Sequence, residues 1–403
     1  MEVLHCRGCA SNNLKNLFSL GGLPYANTFP EDEVVLPDYK LGLVMCLECE
    51  LVQLDEYPDL NELFSNYIWK TSSSKHVPNY LVHFVERIFR DYYLPKVIEI
   101  ASNDGTLMRL LKSKGADVIG VEPAENLFEE CLNKNLTVIK DFFSKGFSDK
   151  YPELKGEFNA LIARNVFCHV EDMHVFLLEA HAILSSEGIC ILEFHDGGKL
   201  LDLLQFDSIY HEHQSYLTLP ALENIVANTS FGIVDVTETF VGGGALLVIL
   251  KKGKNFATHT SVIASRHLGH NNYSRWRSMG NAVEAYKVRL NELLKNLKKD
   301  FRLIGFGASA RSTTLANFTG CWVHLDIIAD NASDKHGRFW TGTEMRICSP
   351  KEINWQEGDI VVLFAWNFYD EIKHQLLKLG FRGKILKVLP NLPTVEDITF
   401  ERN

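Results

Sequence analysis

Residues 96–115 read KVIEIASNDGTLMRLLKSKG, and this stretch sets the fold. An apolar run rich in Val and Ile predicts a strand, Ser-Asn-Asp-Gly predicts a turn, and Leu and Met at helical spacing predict a helix. Residues 116–135, ADVIGVEPAENLFEECLNKN, repeat the strand–loop–helix unit. The alternation continues at FNALIARNVFCHV (158–170), MHVFLLEAHAIL (173–184) and EGICILEFHD (187–196), and VPNYLVHFVERIFRDYY (77–93) has helical periodicity ahead of it. Such alternation predicts an α/β fold, an open parallel sheet with helices on both faces.

In that architecture a ligand sits at the carboxyl ends of the strands, where the first turn meets a helix N-terminus. Here that turn is EIASNDG, residues 99–105. It lacks the G-x-G-x-x-G glycines that admit a dinucleotide's pyrophosphate, which argues against NAD at this turn. Glu122 ends the second strand, about 20 residues on, where an acid would meet a ribose hydroxyl pair. The two features together suggest a nucleoside-bearing cofactor without a pyrophosphate, and S-adenosylmethionine fits.

The 403 residues, 46% hydrophobic and 23% charged, are too many for one core and predict two or three domains. No run of 18 apolar residues occurs, and MEVLHCRGCA (1–10) lacks the order of a secretory signal, so a cytoplasmic protein with no membrane partner is expected. A net charge of −10, with 51 acids against 41 bases, speaks against a nucleic-acid partner. Four of the nine cysteines fall as CRGC (Cys6, Cys9) and CLEC (Cys46, Cys49), with 36 residues between the pairs. Two such knuckles complete a closed four-thiolate zinc site, structural in kind. The loop between them has strand-like pieces that predict a small sheet. Cys131, Cys168, Cys190, Cys321 and Cys348 read as small core residues.

Residues 206–220, FDSIYHEHQSYLTLP, pack Tyr210, His211, Glu212, His213 and Tyr216 into seven positions. As helix, Tyr210 and His213 share a face; as strand, Tyr210 and Glu212 do, and His211 and His213 do. Either way a base, an acid and a phenol can converge. Farther on, residues 269–300 predict a long connecting helix, and FRLIGFGASARSTTLANFTG (301–320) opens a second α/β unit. Gly305 and Gly307 would make a tight turn whose N–H groups, with Ser309, Arg311, Ser312 and Thr313, could hold a diphosphate. Asp330 ends the next strand, as a ribose acid would. On the residues alone this half reads as a dinucleotide site.

Taken in order, these motifs resemble the three-domain sugar C-methyltransferases of deoxysugar biosynthesis, which methylate C3 of nucleotide-linked 4-keto-6-deoxyhexoses. The resemblance covers nearly the whole length, and it implies a small N-terminal zinc-binding module (1–62), a central Rossmann-like methyltransferase domain (63–282) and a C-terminal Rossmann-like α/β domain (283–403). It assigns S-adenosylmethionine to Glu99, Ala101, Asn103, Asp104, Gly105, Glu122, Pro123, Asn165 and the segment Asp141, Phe142, Phe143. Ala101 stands where the family has a glycine. It places catalysis at Tyr210, Glu212, His213 and His169. In YIWKTSS (67–73), Tyr67 is kept for substrate and Trp69 replaces a second tyrosine. The family's H-G-G-S is GGGA at 242–245, without the imidazole. GFGASAR (305–311) matches its nucleotide-sugar turn, with Ser309 for proline and Arg311 for lysine, and Trp366 and Asn367 match its W-N pair. Lys335 and Arg338 join Ser309, Arg311, Ser312 and Thr313 as contacts to phosphate or ribose.

The implied reaction removes the C3 proton, α to the C4 ketone, and the enolate takes the sulfonium methyl. It needs a base near neutral pH, for which His213 is suited, and donors for the enolate oxygen, for which Tyr210 and His169 are suited. Glu212 would orient the base or hold a sugar hydroxyl. The partner is then a nucleotide-linked keto sugar, and the enzyme a monomer or weak homodimer. The alternatives are O- or N-methyl transfer, an NAD-dependent oxidoreductase using GFGASA, and a zinc-ribbon nucleic-acid binder.

Overall fold

The computed structural model describes residues 3–56, 58–65, 67–73, 76–254 and 266–397. The chain divides into two compact units, each assembled from separate segments: Met1–Asn16, Val44–Gly198 and Gln214–Asn271 in the first, Leu17–Leu43, Lys199–His213 and Asn272–Asn403 in the second. Among the described residues no helix is long and apolar enough to cross a membrane.

Between the two cysteine knuckles lie β1 (Leu14–Leu23) and most of β2 (Tyr39–Cys46), and β3 (Val52–Leu54) follows the second knuckle. The first unit centres on a seven-stranded sheet. It contains β4 (Lys96–Ile100), β5 (Asp117–Val121), β6 (Thr137–Ile139), β7 (Phe158–Arg164) and β8 (Leu184–His195). Beyond the short β9 (Ser215–Tyr216), which pairs with β3, come β10 (Phe231–Thr239) and β11 (Ala245–Lys252). The order is β10-β11-β8-β7-β4-β5-β6. Strands β4 to β8 are parallel, as alternation predicts. β11 runs antiparallel to β8 and β10 antiparallel to β11, so the expectation of an all-parallel sheet is corrected at that edge. The cause is the short connection at 240–244, too brief for the crossover that a parallel pair needs. Apolar side chains on both faces fill two cores, one around Phe158, Phe176 and Phe194, the other around Leu81, Leu107 and Ile162.

In the second unit the helix Tyr273–Leu297 buries Trp276, Met279, Val283, Tyr286, Leu290 and Leu294 at helical spacing. The sheet comprises β12 (Leu303–Phe306), β13 (Ile327–Ala329), β14 (Ile347–Cys348), β15 (Ile360–Leu363), β16 (Lys384–Lys387) and β17 (Thr394–Asp397). Its order is β14-β13-β12-β15-β16-β17, parallel except for the last strand. In each sheet the loops that carry the sequence motifs leave the carboxyl ends of the parallel strands.

Candidate active site

The four cysteine sulfurs lie within 4.8 Å of one another. Cys6 and Cys49 are 3.4 Å apart, and Cys9 and Cys46 are 3.6 Å apart. A tetrahedron with metal–sulfur bonds of about 2.3 Å has edges of about 3.8 Å, so the donor set fits zinc. The backbone N–H groups of Gly8 and Glu48 point at the sulfurs of Cys6 and Cys46. Hydrogen bonds from its neighbours pull the Cys46 thiol down, while Cys6, bonded to Cys46, is pushed up to about 12. Four sulfurs this close together, three of them on buried cysteines, cannot all ionise without a cation among them. Cys6, Cys9, Cys46 and Cys49 would hold the ion, and the set offers no open position. Arg7, inside the first knuckle, is itself buried and donates to the carbonyls of Leu54 and Glu56 and to Gln214 Oε1, tying the knuckle to the chain that follows the second one and to the start of β9.

The turn after β4 takes an unusual path. Ala101, Asn103 and Gly105 have φ of 50°, 52° and 73°. This winding turns the Asn103 N–H onto Glu122 Oε2 (2.7 Å), and the Ala124 N–H reaches Oε1 (2.9 Å). Burial pushes the Glu122 carboxyl up to about 7, against the pull of those two hydrogen bonds. Asn103 Oδ1 accepts from the Thr71 N–H and hydroxyl, its Nδ2 donates to the Trp69 carbonyl, and Asp104 Oδ2 accepts from the Ser72 N–H. The YIWKTSS segment is therefore fastened to the turn after β4. Asn126 holds Tyr67 by both of its backbone groups, and the Phe64 ring lies against both Tyr67 and His169, which gathers those two predicted residues.

Glu99 is buried and its carboxyl is held well above the usual range by desolvation; its Oε2 has no partner among the described residues. An orphan acceptor at the carboxyl end of β4, with the Glu122 carboxylate beside the turn, suits a cofactor that brings an ammonium and ribose hydroxyls. Asp141 accepts from Lys150 and the Tyr151 hydroxyl, Phe142 and Pro123 are half-buried, and Phe143 packs between Phe147 and Phe176 in the core. Asn165 is exposed, with φ of 53°, and its N–H donates to the Glu193 carbonyl.

The second unit holds the FDSIYHEH run. The Tyr210 hydroxyl lies 2.8 Å from His213 Nε2, and His213 Nδ1 lies 2.8 Å from the Ser208 carbonyl. A carbonyl only accepts, so Nδ1 carries the hydrogen and Nε2 offers its lone pair, to which the phenol donates. Glu212 is buried, and Asn27 Nδ2 donates to its Oε1 at 2.6 Å. His211 is buried beside the stacked rings of Tyr25 and Tyr39, with Nε2 bonded to the Tyr39 carbonyl and its basicity lowered by burial. That is a packing role.

In the same unit Ser309 caps the helix Ala310–Thr319 through a capping box with Ser312. Thr313 accepts from the Trp340 indole, and Lys335 donates to the Ala308 carbonyl at 2.7 Å. Arg338 donates to Glu31 and to the Phe29 carbonyl, and Asn367 is half-buried next to Trp366. Arg311 forks onto Asp207 at 3.0 and 2.8 Å, stacks on Trp366, and Trp366 Nε1 donates to the same carboxylate at 2.9 Å. Asn27, Asn126, Thr71 and Asp207 went unseen in the sequence reading. The signal that could have found Asp207 is its place inside the motif, one residue after a large aromatic.

The chain thus combines a seven-stranded sheet, a left-handed turn with the buried Glu99 and Glu122 beside it, and a four-cysteine module. Family models match it along most of its length, as a zinc binding domain over residues 6–64, a methyltransferase domain over 74–236 and a C-methyltransferase C-terminal domain over 241–390. These matches make the chain an S-adenosylmethionine-dependent C-methyltransferase. It is 27% identical over 383 residues to the C-methyltransferase NovU of Streptomyces niveus, covering 91% of this chain and 90% of that one. Among solved structures it is similar to the PH0226 protein of Pyrococcus horikoshii OT3 (18% identity, 49% of this chain and all of that one, TM-score 0.37). It is also similar to magnesium protoporphyrin IX methyltransferase of Synechocystis PCC 6803 with bound SAH (17% identity, 44% and 83%, TM-score 0.35).

Proposed function

We propose that this enzyme methylates C3 of a nucleotide-linked 4-keto-6-deoxysugar, with His213 as the base. The observation that carries the reading is the Ser208–His213–Tyr210 hydrogen-bond chain, which leaves Nε2 as the lone-pair nitrogen. In the proposed reaction the Tyr210 hydroxyl turns from Nε2 to the C4 oxygen of the sugar. The freed Nε2 takes the C3 proton, and the C–H electron pair becomes the enolate, stabilised by Tyr210 and His169. Bound S-adenosylmethionine would supply the methyl as an electrophile: the new carbon–carbon bond would form as the S–CH3 bond breaks, its electron pair staying on the sulfur of the departing thioether, S-adenosylhomocysteine. Glu212, oriented by Asn27, holds a sugar hydroxyl.

The cofactor is assigned to Glu99, Ala101, Asn103, Asp104, Gly105, Glu122, Pro123, Asn165 and the 141–143 segment. Tyr67 is assigned to the sugar, and Ser309, Ser312, Thr313, Lys335, Arg338 and Asn367 to the nucleotide end; Arg311 and Trp366, expected there from the sequence, are instead engaged on Asp207. Residues 1–62, 63–282 and 283–403 serve as the zinc, cofactor and nucleotide-sugar modules. The enzyme works in the cytoplasm as a monomer or weak homodimer, on a small molecule, with no nucleic-acid or membrane partner.

The test incubates the protein with methyl-labelled cofactor and a panel of nucleotide 4-keto-6-deoxysugars, and locates the methyl by NMR. His213→Asn is expected to lower turnover by roughly 10²- to 10⁴-fold with cofactor affinity unchanged. In D2O, with a nonmethylating cofactor analogue, the wild type should exchange the C3 hydrogen and the variant should not. Full exchange by the variant would move the base elsewhere.

A further inference from the structure

The buried carboxylate of Asp207 lies one residue from the carbonyl that orients His213. Phe206 anchors this short helical turn in the core against Tyr286 and Phe318. Asp207, 1% exposed, takes the Arg311 fork and the Trp366 indole N–H, three bonds at 2.8 to 3.0 Å. The next residue, Ser208, gives its carbonyl to His213 Nδ1. Arg311 follows the cap of the helix Ala310–Thr319, where the pattern GFGASAR suggested a phosphate contact. Two of its donors are spent on Asp207, and its guanidinium is stacked 4.7 Å from the Trp366 ring centre.

We propose that Asp207 is a positioning residue for His213, and that Arg311 and Trp366 act through it as its clamp rather than as ligands of the nucleotide. The inference deepens the reading of His213 as base and rests on it for its catalytic meaning. Its physical content is separate. A carboxylate held from two sides fixes the backbone at 207–208, the Ser208 carbonyl fixes the hydrogen on Nδ1, and Nε2 keeps the lone pair that accepts from Tyr210. A planar fork matches a carboxylate in a way that a lysine ammonium does not, which gives a physical reason for arginine at this position.

The test uses full-length protein labelled with 15N-histidine, in which the His213 signals are those lost in His213→Asn. Wild type should show the Nδ1–H tautomer. Asp207→Asn and Arg311→Met should shift His213 toward a mixture of tautomers. Calorimetric affinities for dTDP, GDP and CDP should change less than twofold in Arg311→Met for whichever of them binds the wild type. Should Arg311→Met fail to fold, Arg311→Lys replaces it, since it keeps a cation but loses the fork; the same tautomer shift is expected. Unchanged His213 signals in both positions overturn the positioning role. A tenfold or greater loss of nucleotide affinity in Arg311→Met overturns the clamp and restores Arg311 as a phosphate ligand. The tautomer readout needs no sugar, so it stands or falls independently of the substrate assignment.

Discussion

Two strand-to-helix turns, EIASNDG at 99–105 and GFGASAR at 305–311, look alike in sequence and are built for different ends. In the first, three successive odd positions wind through the left-handed region, and the side chains of Asn103 and Asp104 reach out to hold Thr71 and Ser72. Its Glu99 and Glu122 carboxylates stay buried beside the turn. In the second, the helix start is closed by its own serines, and the neighbouring Arg311 is drawn onto Asp207. Gly307, with φ of 99°, is a packing glycine: a Cβ there would meet Ala365 Cβ at 2.5 Å and its backbone nitrogen at 2.9 Å. A glycine-rich turn reports how closely the chain must approach something, and here that something is the protein's own backbone.

The contrast can be broken by mutation. Gly307→Ala is expected to cost about 4 kcal/mol, since overpacking against backbone adds to the strain of a positive φ; a urea midpoint unchanged from wild type would refute the packing role. At the first turn a Cβ on Gly105 would meet Leu136 Cδ1, the end of a side chain that can rotate away. Gly105→Ala should therefore cost less, about 2 kcal/mol by the same measurement.

The acidity of Glu122 sharpens the comparison further. Its folded value of about 7 lies above the ordinary 4.5, so the native state holds a proton that the unfolded chain has released, and ionising Glu122 becomes a growing cost to stability as pH rises from about 4.5 to about 7. Ribose hydroxyls donate best to the ionised form. Cofactor affinity measured by calorimetry should strengthen by up to about tenfold per pH unit below 7 and level off above it. Glu122→Gln should bind more weakly and with no such slope. The smallest effect belongs to Ala101, a non-glycine residue that holds φ of 50°. Ala101→Gly should raise stability by about 1 kcal/mol in a thermal melt, a gain that would vanish if the turn relaxed out of the left-handed region.

Much of this was legible from local pattern. The β–α alternation, the doubled C-x2-C and the ordered E-x-A-x-N-D-G and F-D-x-I-Y-x-E-H runs are short-range signals, because side-chain period and turn chemistry act over a few residues. The antiparallel edge of the first sheet was not, since short apolar runs carry no direction. Nor was Asn27, whose partner Glu212 is 185 residues away.

The amino-acid order alone established which chemistries are present and roughly where: thiolates in two knuckles, carboxylates at two strand ends, a phenol and an imidazole three residues apart. It could not say which of those groups are already engaged. Asn103, Ser309 and Arg311 all read as ligand contacts, yet each spends hydrogen bonds on the protein itself. A hydrogen bond depends on placing donor and acceptor within a few tenths of an ångström and on their angle, and that placement comes from folding together segments distant along the chain.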